Sequence, residues 1–419
     1  MERSKSHTVV VGGGVIGVCC AYYLAKRGAR VTVLERDEIG SGASFGNAGT
    51  IAPGHAPMTK PGRVKQALKN MIDPTSPLYI APRWDPALMK WLWVFRRHCT
   101  ETHLKASMEA LAPLGHDTRE LFDQLVDEEA LECNYTAEGY YDVFLTEPGL
   151  ANATNEASLM WTHGYRPMLL PGEELREREP ALRRGVRGGI FYPEAATLNP
   201  DSFLREMADR MSRLGAAVRI AADVSELLTS AHRVTGVRLR DGEVLTAGTV
   251  VLATGAYSLE LAASVGYRLP IQAGKGYHRD RNLGSGGTPS LEITCMLGEH
   301  SVFCTPMDGF VRYAGTMEFS GLNHEIRRPR LEQLTRAASL YLTGVGDVES
   351  RSEWCGLRPC TPDGLPIVGP VPGCEGLFIA TGHAMLGLTL GPITGKLVAE
   401  MVLDGAPSRN IDALRVSRF

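Results

Sequence analysis

Gly12-Gly13-Gly14-Val15-Ile16-Gly17 fits the spacing G-x-G-x-x-G, and Glu35 stands at the end of the next apolar run. Glycines at these places allow a tight turn, a close approach of phosphate to backbone, and close packing of a helix on a strand. Free N–H groups at the start of such a helix attract phosphate oxygens. A carboxylate in the place of Glu35 accepts hydrogen bonds from a ribose diol and disfavours a phosphorylated ribose, with Arg36 beside it as a possible counterweight. The chemistry is that of holding a dinucleotide. A second group is Arg358, the one charge between Glu353 and Asp363 in an otherwise apolar stretch, WCGLRPCTPDGLPIVG, residues 354–369. Arginine is almost never fully buried without a partner. Its planar fork binds a carboxylate through two parallel hydrogen bonds. The partner is either Glu353, the nearest carboxylate before it, or the carboxylate of a ligand.

The elements that position these groups are legible in outline. Thr8–Val11 is a β-branched run typical of a strand buried on both faces, and the helix after Gly14 ends at Gly28. Val31–Glu35 is the second strand, which completes a βαβ unit. The uncharged stretch Thr8–Ala25 also has nearly the length of a membrane span, but its glycine triplet and the absence of a small-residue cleavage site favour strand, turn and helix. Residues 55–100 are an irregular insertion. Within it, 88–98 form a helix with three aromatics beside a basic cluster, which either packs on the core or rests on a membrane surface. Helices are expected over 101–130, 169–182, 201–215 and 327–343, and a strand over 139–146. Asp241-Gly242 is a hairpin turn, and Thr249–Ser258 reads as a parallel strand ending in small residues at a ligand crevice. Residues 267–320 read as an antiparallel sheet with turns at Gly274, Asp308-Gly309 and Gly315. Leu377–Gly405 reads as strand, glycine loop and long helix.

Composition narrows the function classes. A chain of 419 residues suits two domains or one large composite. The net charge of −3 gives no footprint for nucleic acid. Nine scattered cysteines, without a CxxC pair or zinc spacing, suit a reduced intracellular protein and no metal site. The expected location is therefore the cytoplasm, with peripheral attachment to the inner face of the membrane through 88–98 as an option. No second G-x-G-x-x-G follows a strand, since GSGG near Gly284 lies in a polar loop. A separate NAD domain is disfavoured, and FAD is the expected cofactor. Ser44 and Asn47 are the polar groups of the small-residue loop 35–49 best placed to meet it.

Four segments occur in one order: GGGVIG, ATGA, GLRP and the loop T-G-H-x-x-x-G-x-T-x-G-P. That combination resembles the FAD-dependent D-amino-acid oxidase superfamily over almost the whole chain. Within it, GKGYH at 274–278, RYAGTMEF at 312–319 and the Arg358 segment are most similar to bacterial D-amino-acid dehydrogenases, with D-hydroxyproline and D-proline dehydrogenases also similar. The resemblance implies an α/β plus α+β fold. A Rossmann-like FAD-binding domain (1–55, 180–265, 350–419) would be interleaved with an antiparallel-sheet substrate domain (56–179, 266–349), as in D-amino-acid oxidase and glutathione reductase.

It also implies roles. Gly12, Gly14, Val15, Ile16, Gly17, Glu35 and Arg36 would hold the ADP half of FAD. Ser44, Asn47 and Gly49 would lie beside the flavin, and Val224 would meet the adenine side through its backbone. Thr254 and Gly255 follow, with Gly382, His383, Gly387, Leu388 and Thr389 at the ring. Arg358 would hold a substrate carboxylate. Tyr277 and Tyr313 are candidates for a second carboxylate contact or a lid, with simple packing as the alternative, and His383 and His55 are further candidates near the reaction. Some relatives attach FAD through a cysteine upstream of T-P-D. Here that place is Gly356, and Cys355 is one residue off, so non-covalent FAD is expected. The implied reaction is hydride transfer from an amino-acid Cα to flavin N5, leaving an imine that water hydrolyses to a 2-oxo acid. A quinone or an electron-transfer protein would take the electrons. The rivals are a glycine or sarcosine oxidase that uses oxygen, and an FAD electron-carrier subunit without its own substrate.

Overall fold

In the computed structural model, which describes residues 7–62, 64, 73–282, 290–345 and 350–419, two sheets face a shared cavity. The first has six strands in the order 367–370, 377–381, 249–252, 8–11, 31–34 and 217–219. All neighbours are parallel except the edge strand 367–370. Thr8–Val11 lies at its centre and is buried throughout, as a β-branched run between two helical layers should be. The helix Val15–Lys26 and the C-terminal helix Gly387–Leu403 cover one face. They approach so closely that a side chain at Gly395 would place its Cβ 2.5 Å from the Cys19 carbonyl carbon. This packing accounts for the apolar stretch Thr8–Ala25, and among the described residues no helix is long and apolar enough to cross a membrane. A three-stranded antiparallel sheet, 224–230, 233–239 and 244–246, turns at Asp241-Gly242 as expected.

The second sheet has nine strands. Its order is 350–360, 272–282, 310–319, 302–307, 295–297, 140–144, 188–192 and 168–171, with Leu78–Ile80 alongside the end of 310–319. It is mainly antiparallel, with two parallel pairings. The helix Arg328–Tyr341 packs on one face, burying Leu331, Leu334 and Tyr341 against Tyr277, Tyr313 and Cys355. The other face looks into the cavity.

Three expectations are corrected. Gly274 and Gly315 are not turns; both lie inside strands. A Cβ at Gly274 would fall 2.3 Å from the Met317 sulfur, and one at Gly315 would fall 2.4 Å from the Ser301 carbonyl oxygen. These glycines therefore mark close approach within a sheet rather than a bend. The interleaving is finer than the expected boundaries, because Gly188–Tyr192 and Ser350–Cys360 are strands of the second sheet. The insertion is partly regular, with the strand Leu78–Ile80 and the helix Pro86–His98. The GSGG segment at 284–287 lies outside the described residues.

Candidate active site

A cavity of about 1540 Å3 runs from the glycine turn after the first strand to the face of the nine-stranded sheet. Its first end is built by backbone. Gly12 takes φ of +105°, and a Cβ there would sit 2.6 Å from the Ala253 carbonyl oxygen. A Cβ at Gly17 would fall 1.9 Å from the carbonyl oxygen of Gly12, so only glycine lets this helix start so near its strand. The N-cap residue, Gly14, has no side chain to offer the helix. Ser44 Oγ accepts from the Val15 N–H at 2.9 Å and ties the following loop to the helix start. Glu35 accepts from the N–H groups of Gly13 at 2.6 Å and Asp37 at 3.0 Å, and still lines the cavity. Arg36 lies over the Tyr257 ring at 3.9 Å and pairs with Asp37.

The middle of the cavity is formed where the chain returns. Thr254, Gly255 and Val224 line it, as do Asn47, Gly387, Leu388 and Thr389. Asn47 fixes its own loop, donating to the Ser44 carbonyl at 2.6 Å and accepting from Gly49 N–H at 2.7 Å. The helix Gly387–Leu403 begins here, and its first turn also lacks a side-chain cap. Such an end stabilises negative charge placed before it. His383 lines the same region, almost fully buried. Its Nε2 lies 3.1 Å from Thr394 Oγ1, and its Nδ1 has no protein partner. Burial lowers its pKa to about 3, so the ring is neutral.

The far end carries Arg358. It is half-buried and opens onto the cavity, and it makes no ion pair among the described residues. Its Nη1 donates to the Thr316 carbonyl oxygen at 2.7 Å. Burial pushes its pKa below the ordinary range, although arginine stays protonated in proteins. Glu353 is not its partner: that carboxylate pairs with Arg279 at 2.7 Å and with Arg328. Two backbone features make the place. Gly276, on the neighbouring strand, leaves room for the guanidinium, since a Cβ there would lie 2.3 Å from Nη2. A bulge in the pairing of 310–319 with 272–282 gives Thr316 φ of 61°. That conformation is uncommon for a β-branched residue, and here it accompanies a carbonyl turned to the arginine.

A half-buried cation facing a cavity, together with a glycine cradle and an uncapped helix start, suits a large anionic cofactor and a small carboxylate. The family model for FAD-dependent oxidoreductases, DAO, matches residues 7–401. The chain belongs to the DAO family. A D-amino acid dehydrogenase of Xanthobacter autotrophicus is 34% identical over 417 residues, covering 98% of each chain. A protein of the same name from Methylobacterium radiotolerans is 32% identical over 419 residues, covering 99% of each. Among solved structures, glycine oxidase from Geobacillus kaustophilus superposes with a TM-score of 0.79 at 23% identity, covering 99% of this chain and 100% of its own. L-proline dehydrogenase from P. horikoshii also reaches 0.79, at 20% identity, covering 99% and 98%. These two likenesses show the DAO fold.

FAD is the family's cofactor, and the residues present fit it. The glycine turn, Val15, Ile16 and Glu35 line the end suited to the ADP half, and the uncapped start of the helix at Gly387 faces the middle. Gly17, Gly49 and Gly382 stand behind the wall, shaping it without lining it. His55 lines the cavity. Tyr277 and Tyr313 do not. Both side chains lie on the opposite face of the sheet, in the core under the helix Arg328–Tyr341, and Tyr277 donates to Glu318 Oε2 at 2.7 Å. Packing, the alternative reading, describes their placement. Sequence reasoning missed the Thr316 carbonyl, Gly276 and Asp142. A glycine inside a strand opposite Arg358, and a carboxylate inside the apolar strand YYDVF, were the available signals.

Proposed function

We propose that this chain is an FAD-dependent dehydrogenase of D-amino acids, or of a D-imino acid such as D-proline or D-hydroxyproline. The carrying observation is the Arg358 guanidinium, half-buried, without a carboxylate partner among the described residues and open to the cavity. The full-length relatives named D-amino acid dehydrogenase support the substrate class. Bound FAD supplies the two-electron oxidant for the Cα–H bond. The protein's part is positioning. Arg358 anchors the substrate carboxylate through two hydrogen bonds, and the Thr316 carbonyl fixes the plane of the fork. His383, neutral and buried, offers a polar nitrogen in the wall without adding charge. The amine enters neutral, and the imine is hydrolysed by water to a 2-oxo acid.

FAD is held without a covalent bond. Cys355 lies on the helix-covered face of the sheet, its thiol donating to the His324 carbonyl, and Gly356 carries no nucleophile. A quinone or an electron-transfer protein accepts the electrons. Contact with a membrane surface runs through residues 88–98, where Met89 and Trp93 are exposed beside Lys90, Arg96 and Arg97. The protein then works in the cytoplasm, at the inner face of the membrane.

The test is the flavin spectrum of the purified protein under anaerobic conditions. The panel is D-alanine, larger D-amino acids, D-proline, cis-4-hydroxy-D-proline, glycine, sarcosine and the L counterparts. Bleaching by D-amino or D-imino acids is expected, with slow recovery in air. Rapid reoxidation with hydrogen peroxide would replace the dehydrogenase by an oxidase. A flavin that no amino acid bleaches would sink the reading in favour of an electron carrier.

A further inference from the structure

The cavity continues past Arg358 along the sheet to a second polar end. Asp142, Met296, Phe303 and Ala314 stand side by side on adjacent strands, so one row joins the Thr316 bulge to Asp142. Three strand spacings separate Ala314 from Asp142, roughly 14 Å, and Thr316 lies two residues further along its strand, which makes the diagonal roughly 16 Å. Asp142 lines the cavity with 7% of its surface exposed. Tyr192 donates to its Oδ2 at 3.3 Å, and its Oδ1 has no partner among the described residues. Buried carboxylate oxygens are otherwise paired. Above it, Lys60 is ion-paired with Glu156, and both line the cavity too.

We propose that Asp142 is a specificity residue that receives the terminal ammonium or guanidinium of a long, basic D-amino acid. The inference rests on the reading of Arg358 as the carboxylate anchor. The reach is of that order: an extended lysine spans about 8 Å and an extended arginine about 10 Å from carboxylate to terminal nitrogen, with a hydrogen bond of about 2.9 Å at each end. The wall between, Met296 and Phe303, suits a methylene chain. The state of Asp142 agrees. Burial first of all, opposed by Lys60 and reinforced by Glu156, pushes its carboxyl up to about 8. A buried carboxyl with an unpaired oxygen ionises when a cation is brought to it.

The test compares D-lysine and D-arginine with D-norleucine, their neutral counterpart in length, by kcat/KM of the holoenzyme. The wild type is expected to favour the basic substrates by about tenfold or more, and Asp142→Asn to lower the D-lysine to D-norleucine ratio at least about tenfold. Glu156→Gln, on the exposed side of the pair, gives a second variant that should lower the same ratio by a smaller factor. A wild type that prefers D-norleucine, or an Asp142→Asn enzyme with an unchanged ratio, overturns this inference while leaving the carboxylate anchor standing. Failure of every amino acid to bleach the flavin removes both.

Discussion

Arg358 is held by neighbours that contribute geometry rather than charge. Gly276 makes room for it and a carbonyl in a bulged strand orients it, so its two-pronged capacity is left for a ligand. Arg358→Lys should weaken amino-acid binding about 100-fold while the flavin absorbance of the purified protein stays intact. Gly276→Ala should act in the same direction, because a methyl 2.3 Å from Nη2 displaces the fork. Spectral titration of both variants checks this, and undiminished amino-acid affinity in Arg358→Lys would sink the anchor. Arg358 was legible in the sequence because a lone charge in an apolar stretch demands a partner. Tyr277 was not. In GKGYH, adjacent residues fall on opposite faces of a strand, so Gly276 meets the arginine and Tyr277 meets Glu318 in the core. Residue type alone does not say which face is which.

At the scale of elements, the βαβ unit was legible because its glycines, β-branched run and terminal carboxylate each have one physical use. The large sheet was harder. Phe310–Phe319 is buried at every position, so it shows no alternation, and glycines within its neighbours imitate turns. The aromatic helix Pro86–His98 packs on the core through Leu88 and Trp91 and leaves Met89 and Trp93 exposed. Trp91 is buried, stacks on Phe95 at 5.1 Å and donates to the Cys360 carbonyl at 3.1 Å. Trp93, 56% exposed, lies under Arg97 on the outer side, and Trp84 just before the helix is 85% exposed. This outer face should bind anionic vesicles. Sedimentation with phosphatidylglycerol vesicles should carry the protein down, and Trp84→Ala with Trp93→Ala should lower the bound fraction severalfold. Equal recovery in the supernatant with and without vesicles would remove the membrane contact.

At the scale of the molecule, two histidines set an acid limit. His278 is fully buried, stacked on Trp354 and 3.0 Å from the Gly46 carbonyl oxygen. Burial, then the Arg312 charge, lowers its pKa from 6.5 to about 4. His383 shifts the same way through burial, to about 3. Between pH 6.5 and 4 the unfolded chain takes up protons that these rings refuse. Their contribution is therefore complete above 6.5 and is lost as pH falls, about 3 kcal/mol for His278. Asp142 has the opposite sign: its carboxyl is raised from 3.8 to about 8, so its contribution is lost as pH rises through that range. Among these three groups, two protons against one favour stability rising with pH from about 4 to 6.5; His300, lowered by burial, adds to the rise, and Glu179, raised by burial, opposes it. Urea unfolding at pH 4.5, 5.5 and 6.5 should show this slope, and His278→Gln should flatten it. An unchanged slope in the variant would contradict the assignment to His278. None of this was legible in the sequence, because burial of a histidine depends on contacts such as Gly46 with His278, far apart in the chain.

The order of strands has a consequence for biosynthesis. The glycine turn at Gly12 leaves the ribosome first, but its strand is flanked by Thr249–Leu252 and, beyond that, Leu377–Thr381, and the opposite wall of the cavity begins at Gly387. At translation rates of about 5–20 residues per second, roughly twenty seconds to more than a minute separate the two halves of the cofactor cradle. The nascent chain thus carries an open, apolar glycine turn throughout that interval. The cradle closes only once Gly387 has emerged, so cells short of flavin should accumulate chains that extend past Gly387 and await their cofactor rather than stalled shorter fragments.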